Sequence, residues 1–426
     1  MEMRKMVLQL ESINFNLDTS SATNSAMNIR RNQDFEVPLP EYTKLTANLF
    51  EYNCAAYAIA ETDGQVVNIR VQLATFATAS RVWEVKATGG GIMGPLDPIR
   101  VEFAPEATLA TVDIPLSYRD FSRVGVHQVT WEWFYRRQGE SSWQRLKNTS
   151  HRIYLVLSVP PAPWSQSYGD YRNPWGELLD ECCRIAGGSK DNIWAARKMT
   201  KAINRDYNLR YDTDRGAPRY NHSSWDAWQF EMSNWIEYVL HGNVPPEPRF
   251  CPGTSEDHPD NWIVNCYDCG GALSLMTKIV GAQTEYHFHA PFGYLNYIYP
   301  IGRGLCNNPF PENHCSGEGF VTDSDATWPT RGGFGNHAYT RLNNKVFDAC
   351  MKDYLSLWEK TALAILIALV ILFSCGQADV SGLRDRYNGW LINMEQQAYE
   401  EYIIDTSTSQ EAAAAGGSPE IESVTF

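Results

Sequence analysis

Up to about residue 160, apolar and polar residues alternate with a period of two, the pattern of strands that bury one face and expose the other. Val67, Ile69, Val71 and Leu73 alternate with Asn68, Arg70 and Gln72, and Val129, Trp131, Trp133 and Tyr135 alternate with Gln128, Thr130 and Glu132. Leu8–Phe15, Thr111–Leu116 and Ile153–Leu157 read as further strands, and turn-prone stretches such as Gly89-Gly90-Gly91 separate some of them. Such a series predicts an antiparallel β-sandwich of immunoglobulin-like type over residues 1–160. The proline cluster Pro160-Pro161-Ala162-Pro163 ends it, because proline has no amide to give to a ladder. The aromatic stripe at 131, 133 and 135 is expected to fill that sandwich rather than to line a sugar-binding face.

Beyond the prolines the period becomes helical. Trp175–Ala186 and Asn192–Asn204 are predicted helices, the second carrying Ile193, Ala196, Met199 and Ile203 at helical spacing. Trp225–Leu240 is predicted as another, and so is Leu273–Val280, opened by Gly270-Gly271 and closed by Gly281. The segment Pro291–Gly335 is rich in Gly, Pro and Asn and reads as a long, site-shaping loop region. Residues 362–373 (ALAILIALVILF) are wholly apolar but fall short of the roughly 20 residues that span a bilayer, so a buried core helix is expected there in preference to lipid contact. The last residues, 406–426, read as a disordered tail. The expected organisation is therefore a sandwich at 1–160, an α+β domain at 165–405 and a tail.

Composition narrows the function. The 426 residues allow two or three domains with sizeable cores, and 43% hydrophobic residues offset the entropy of ordering. A net charge of −14 repels nucleic-acid phosphates and anionic lipid surfaces, which leaves a protein or peptide substrate as the expected partner and no nucleic acid. Polar residues interrupt any apolar run after Met1, so no signal peptide is read, a cytoplasmic location is expected, and the ten cysteines are taken as free thiols.

Three positions carry the chemistry of a thiol enzyme. Cys266 precedes a predicted helix, whose free amides and dipole stabilise a thiolate. His337 and Asp348 fall on two short alternating stretches joined at Asn343-Asn344, a hairpin that sets an imidazole beside a carboxylate. A histidine takes the thiol proton and an acid beyond it orients the ring. Asn265, Trp262 and the Cys266 amide are candidate oxyanion donors. Asp268 is read as a helix-start acid, and His287 with His289 as a structural pair rather than a metal site. Two other readings of the thiols are open: Cys266 and Cys269 as a redox pair, or Cys266, Cys269, Cys306, His314 and Cys315 as zinc ligands.

Cys266-Tyr267-Asp268 opening a helix, then His337-Ala338-Tyr339, then Phe347-Asp348, resembles the transglutaminase-like superfamily of cysteine enzymes, which has a papain-like fold. With the helix at Asn192–Asn204, the resemblance covers roughly residues 165 to 350. It implies Cys266 as nucleophile, His337 as general base, Asp348 as orienting acid, and no cofactor. The spacing of 337 − 266 = 71 residues is longer than usual and implies an inserted loop, and Tyr339 stands where Trp is commoner. The implied activity is deamidation, transamidation or proteolysis at amide bonds, as a hydrolase or acyltransferase. The alternative is an inactive binding or assembly protein that keeps the domain as a scaffold.

Overall fold

The computed structural model describes residues 8–17, 22–32, 34–46, 53–76, 81–165, 173–212, 216–223, 228–243, 262–289, 295–305, 336–404 and 421–425. Helices and several antiparallel sheets are mixed in an α+β arrangement, and the chain divides into two compact units. The first comprises Met1–Asp191 with Ile279–Ala282; the second comprises Asn192–Lys278 with Gln283–Phe426.

In the first unit, strands β1 (Leu8–Asn14), β2 (Tyr42–Thr43), β4 (Asn68–Thr75) and β7 (Leu109–Pro115) form one antiparallel sheet in the order β2-β1-β4-β7. The other sheet runs β3-β9-β8-β5-β6, from β3 (Cys54–Ala58), β5 (Val82–Gly89), β6 (Leu96–Glu102), β8 (Gly125–Arg137) and β9 (Gln144–Val156). All its pairings are antiparallel except β3 with β9. The buried residue of each alternating pair goes into one hydrophobic cluster shared by both sheets, from Leu10, Ile69 and Val71 on one side to Val85, Val129 and Ile153 on the other. Trp131 and Trp133 are fully buried in it, and each indole N–H finds an acceptor, Gly94 O and Thr149 Oγ1, both at 2.9 Å.

This unit continues past the proline cluster to take in helix α1 (Gly176–Ile185). The reason lies in its contacts: Gly176 N donates to Arg30 O at 2.6 Å, and the Cys183 thiol donates to Leu155 O at 3.6 Å. Leu178, Leu179, Cys182 and Cys183 are all buried, so the helix's apolar stripe belongs to this core.

The second unit is built on an antiparallel sheet of β14 (Glu285–His289), β16 (His337–Leu342), β17 (Lys345–Asp353) and β15 (Ile298–Pro300), with β18 (Trp390–Glu395) also on β17. Helix α2 (Asn192–Arg205) lies against β17 and β18, where Asn204 Nδ2 donates to Ala349 O at 2.9 Å. Helix α3 (Cys266–Ile279) follows the short strand β13 (Ile263–Val264), which pairs in parallel with β10 (Arg210–Tyr211). Helices α4 (Leu357–Phe373), α5 (Ser381–Tyr387) and α6 (Gln396–Ile403) complete the unit. Arg197 and Lys201 of α2 both pair with the buried Asp385 of α5.

Four expectations are corrected. The stretch predicted as helix at Trp225–Leu240 begins as strand β12 (Trp228–Glu231), paired with β11 (Asn221–Ser223), and turns helical only from Met232. Ladder bonds to β11 are available there, and they outweigh a helical pattern rich in aromatics. Ile298–Pro300, inside the expected loop, is held as a strand by β17. Within the expected tail, Ile421–Thr425 forms β19, parallel to β12. The largest departure is α4, whose residues are none of them buried. Only Lys360, Leu363, Ile367 and Val370, one stripe at helical spacing, are half-covered, because a helix that is apolar almost all round can turn just one face to its neighbours.

Candidate active site

The start of α3 is fixed by a reciprocal cap. Asn265 Oδ1 accepts from Asp268 N, and Asp268 Oδ2 accepts from Asn265 N, both at 3.1 Å. The Asp268 carboxylate also accepts from the amides of Arg219, Tyr220 and Asn221 at 2.7–3.1 Å. Burial pushes its pKa up and these amides oppose the rise, so Asp268 is a helix-start anchor that ties the 219–221 segment to the helix. Cys266 is the first helical residue and is 3% exposed.

His337 opens β16 and Asp348 lies within β17. The turn between these strands, Asn343-Asn344, has φ values of 50° and 62°, the left-handed pair that a two-residue hairpin requires and that asparagine tolerates. Register follows from it, with Thr340 opposite Phe347 and Leu342 opposite Lys345. The result sets His337 Nε2 at 2.9 Å from Asp348 Oδ2, with both side chains fully buried. Tyr399 of α6 donates its hydroxyl to the same Oδ2 at 2.8 Å, and Oδ1 accepts from the amides of Cys350 and Met351 at 2.7 and 3.2 Å. The carboxylate is thus held from every side.

Burial alone would push the His337 imidazole down, but the Asp348 carboxylate and the nearby Cys266 sulfur favour the protonated ring, and the pKa rises to about 10. Close approach of α3 to the sheet makes this contact possible. Thr340 Oγ1 donates to Gly270 O at 3.0 Å, and a Cβ on Gly270 would meet the backbone of Ala338 and Tyr339 and the Tyr286 ring, each at 3.3 Å. Tyr267 adds a second tie, donating to Asn336 Oδ1 at 2.7 Å.

Asn265 is beside Cys266 in sequence, but its side-chain amide donates to Gly216 O at 2.6 Å and its carbonyl serves the cap. One of the two hydrogens on its amide nitrogen is thereby engaged. Trp262 is half-buried, and its carbonyl accepts from Arg210 N. The amide of Cys266, at the first helical position, is not used by the helix ladder. The Cys269 and Cys350 thiols are free and buried, and burial pushes both pKa values up. His287 and His289 lie on β14 among Tyr339 and each other, and burial with the Arg341 charge lowers the His287 pKa to about 4. Among the described residues no group of three or more His, Cys, Asp or Glu side chains could hold a metal ion; Cys306, His314 and Cys315 lie outside them. Tyr399 was not legible in the sequence, since only the fold brings α6 beside Asp348, 51 residues away.

No protein-family profile matches the chain. No curated protein matches it either. Among solved structures it is similar to the crystal structure of red sea bream transglutaminase, at 8% identity and a TM-score of 0.33. That similarity covers 67% of this chain and 49% of the other, so the chain spans about half the length of the structure it matches.

Proposed function

We propose that this chain is a thiol enzyme of transglutaminase-like type acting on amide bonds of protein or peptide substrates. The observation that carries the reading is a buried imidazole, 2.9 Å from an amide-clad carboxylate, next to a cysteine at the first position of a helix. Cys266 attacks the amide carbonyl carbon, and the oxyanion forms against the Cys266 amide. His337 passes its proton to the departing amine while Asp348, aligned by Tyr399, fixes the ring. Water or an amine then resolves the thioester, giving hydrolysis or transfer. In the same reading the two sheets of the first unit form a two-layer sandwich.

Labelling by a thiol-reactive probe at neutral pH tests this. Cys375 is exposed, so the measurement uses a Cys375→Ser background, compared with and without Cys266→Ala. Cys266 is expected to label faster than every other thiol and to lose that advantage in His337→Ala. Labelling no faster than the buried thiols would leave an inactive scaffold as the better reading. A glutamine-peptide library incubated with and without a primary amine then separates deamidation, amine adducts and cleavage by mass.

A further inference from the structure

Helix α4 sits at the surface with its apolar residues facing outward: Leu357 is 80% exposed, Trp358 85%, Ile365 56%, Leu372 69% and Phe373 82%. The exposed apolar surface is on the order of 1,000 Å², beyond the ~300–600 Å² of the largest patch on a typical monomer. Exposed positions sweep roughly 220° of the helix circumference, since only Lys360, Leu363, Ile367 and Val370 are half-covered. A partner helix covers a stripe of about 100° and would leave most of this arc in water, whereas acyl chains cover all of it. At 17 residues the helix is about 25 Å long, and no helix among the described residues is long and apolar enough to cross a membrane. An apolar run of this length outside the core suits a segment lying in one leaflet.

The foot of the helix has the complementary chemistry. A cavity of about 410 Å³ there is lined by Arg303, Lys352 and Lys360, together with Tyr299 and Tyr387. Its one carboxylate, Asp353, is paired with Arg386 at 2.8 Å. The Lys352 pKa is lowered by burial and by the neighbouring Arg205 and Lys360 charges, the mark of crowded cations. Tyr354, 40% exposed, has its ring tilted against those of Tyr297 and Tyr299 at 6.5 and 6.3 Å, and Trp358 is in the first turn of the helix. Trp and Tyr with Lys and Arg at one end of an apolar segment is the arrangement found at the headgroup level of a bilayer. Glu359, the acid of the first turn, is occupied in the capping box with Ser356.

We infer that α4 docks this protein onto an anionic lipid bilayer, its outer arc among the acyl chains and the Arg303, Lys352 and Lys360 cavity at its foot receiving anionic headgroups. The net charge of −14 does not prevent this, because at physiological salt a headgroup feels charges within about 8 Å and the cavity is locally basic.

Flotation of the full chain with vesicles tests the inference. Vesicles of phosphatidylcholine with 30% (roughly a third) phosphatidylglycerol are expected to carry the protein upward, with a blue shift of tryptophan emission, and pure phosphatidylcholine to carry at least tenfold less. Leu372→Glu with Phe373→Glu, at positions outside the core, is expected to abolish flotation with unfolding unchanged. Lys352→Gln with Lys360→Gln is expected to remove the preference for anionic vesicles. Failure to float overturns the inference, and a dimer in solution that the Leu372→Glu, Phe373→Glu variant dissolves would identify a second copy as the occupant instead. Flotation that survives both glutamates also overturns it.

Discussion

His151 shows what one side chain can do to the pH dependence of stability. It lies in the first unit's core with its ring 4.9 Å from Phe15, 5.3 Å from Tyr42 and 5.6 Å from Trp131, measured between centroids. Burial lowers its pKa from 6.5 to about 3. Below pH 6.5 the unfolded chain binds a proton that the folded ring refuses, so the contribution of the neutral ring is present above 6.5 and lost as pH falls towards 3. Each pH unit in that window removes about 1.4 kcal/mol. Denaturant unfolding of the wild type and His151→Leu is expected to show their difference moving by about 2 kcal/mol in favour of the variant between pH 7 and pH 5. A gap that does not move with pH contradicts the account. His337 is the opposite case: a buried histidine whose protonated form a carboxylate favours, so that environment alone sets two buried rings apart.

At the scale of elements, the candidate site depends on how close α3 comes to β16. Glycine at 270 lets the helix backbone approach to the point where a single added carbon would press on Ala338, Tyr286 and Tyr339 at 3.3 Å. Gly270→Val should push the helix away and cost about 1–3 kcal/mol in stability. Because Cys266 rides on the same helix, the labelling rate of its thiol should fall by tenfold or more, while Gly270→Ala keeps an intermediate rate. Equal rates in all three proteins would show that the helix position does not govern the thiol. The strands that carry His337 and Asp348 were legible because the hairpin has both parts of its signature, alternating residues and an Asn-Asn turn. Strand β12 was not, because its four residues carry no alternation long enough to outweigh the helical pattern around them, and its partner β11 is known only from the fold.

At the scale of the whole molecule, two fields of opposite sign act on any anionic surface. The net charge of −14 repels it at long range, and the cations at the foot of α4 attract it at short range. Screening weighs one against the other: the Debye length is about 30 Å at 0.01 M salt, about 10 Å at 0.1 M and about 3 Å at 1 M. Flotation with anionic vesicles is therefore expected to be greatest near 0.1 M salt and weaker on either side of it. A salt series that falls steadily from the lowest concentration would mean that the global charge plays no part.

Periodicity determined where most of the first unit's strands run, because a half-buried strand must alternate and each residue reports its own burial. Local chemistry likewise marked Cys266, His337 and Asp348, since a thiol before a helix and a His and Asp flanking an Asn-Asn turn are readable one segment at a time. Tertiary structure decided the rest. Asn265 stands beside the thiol in sequence, but only the fold ties its side chain to Gly216 and Asp268. Tyr399 gained a role only when α6 came to rest on Asp348. The apolar run at 362–373 looked like core, yet its composition fixes only that it avoids water. Which surface covers it depends on the space left by the other elements of its unit, and they leave most of α4 uncovered.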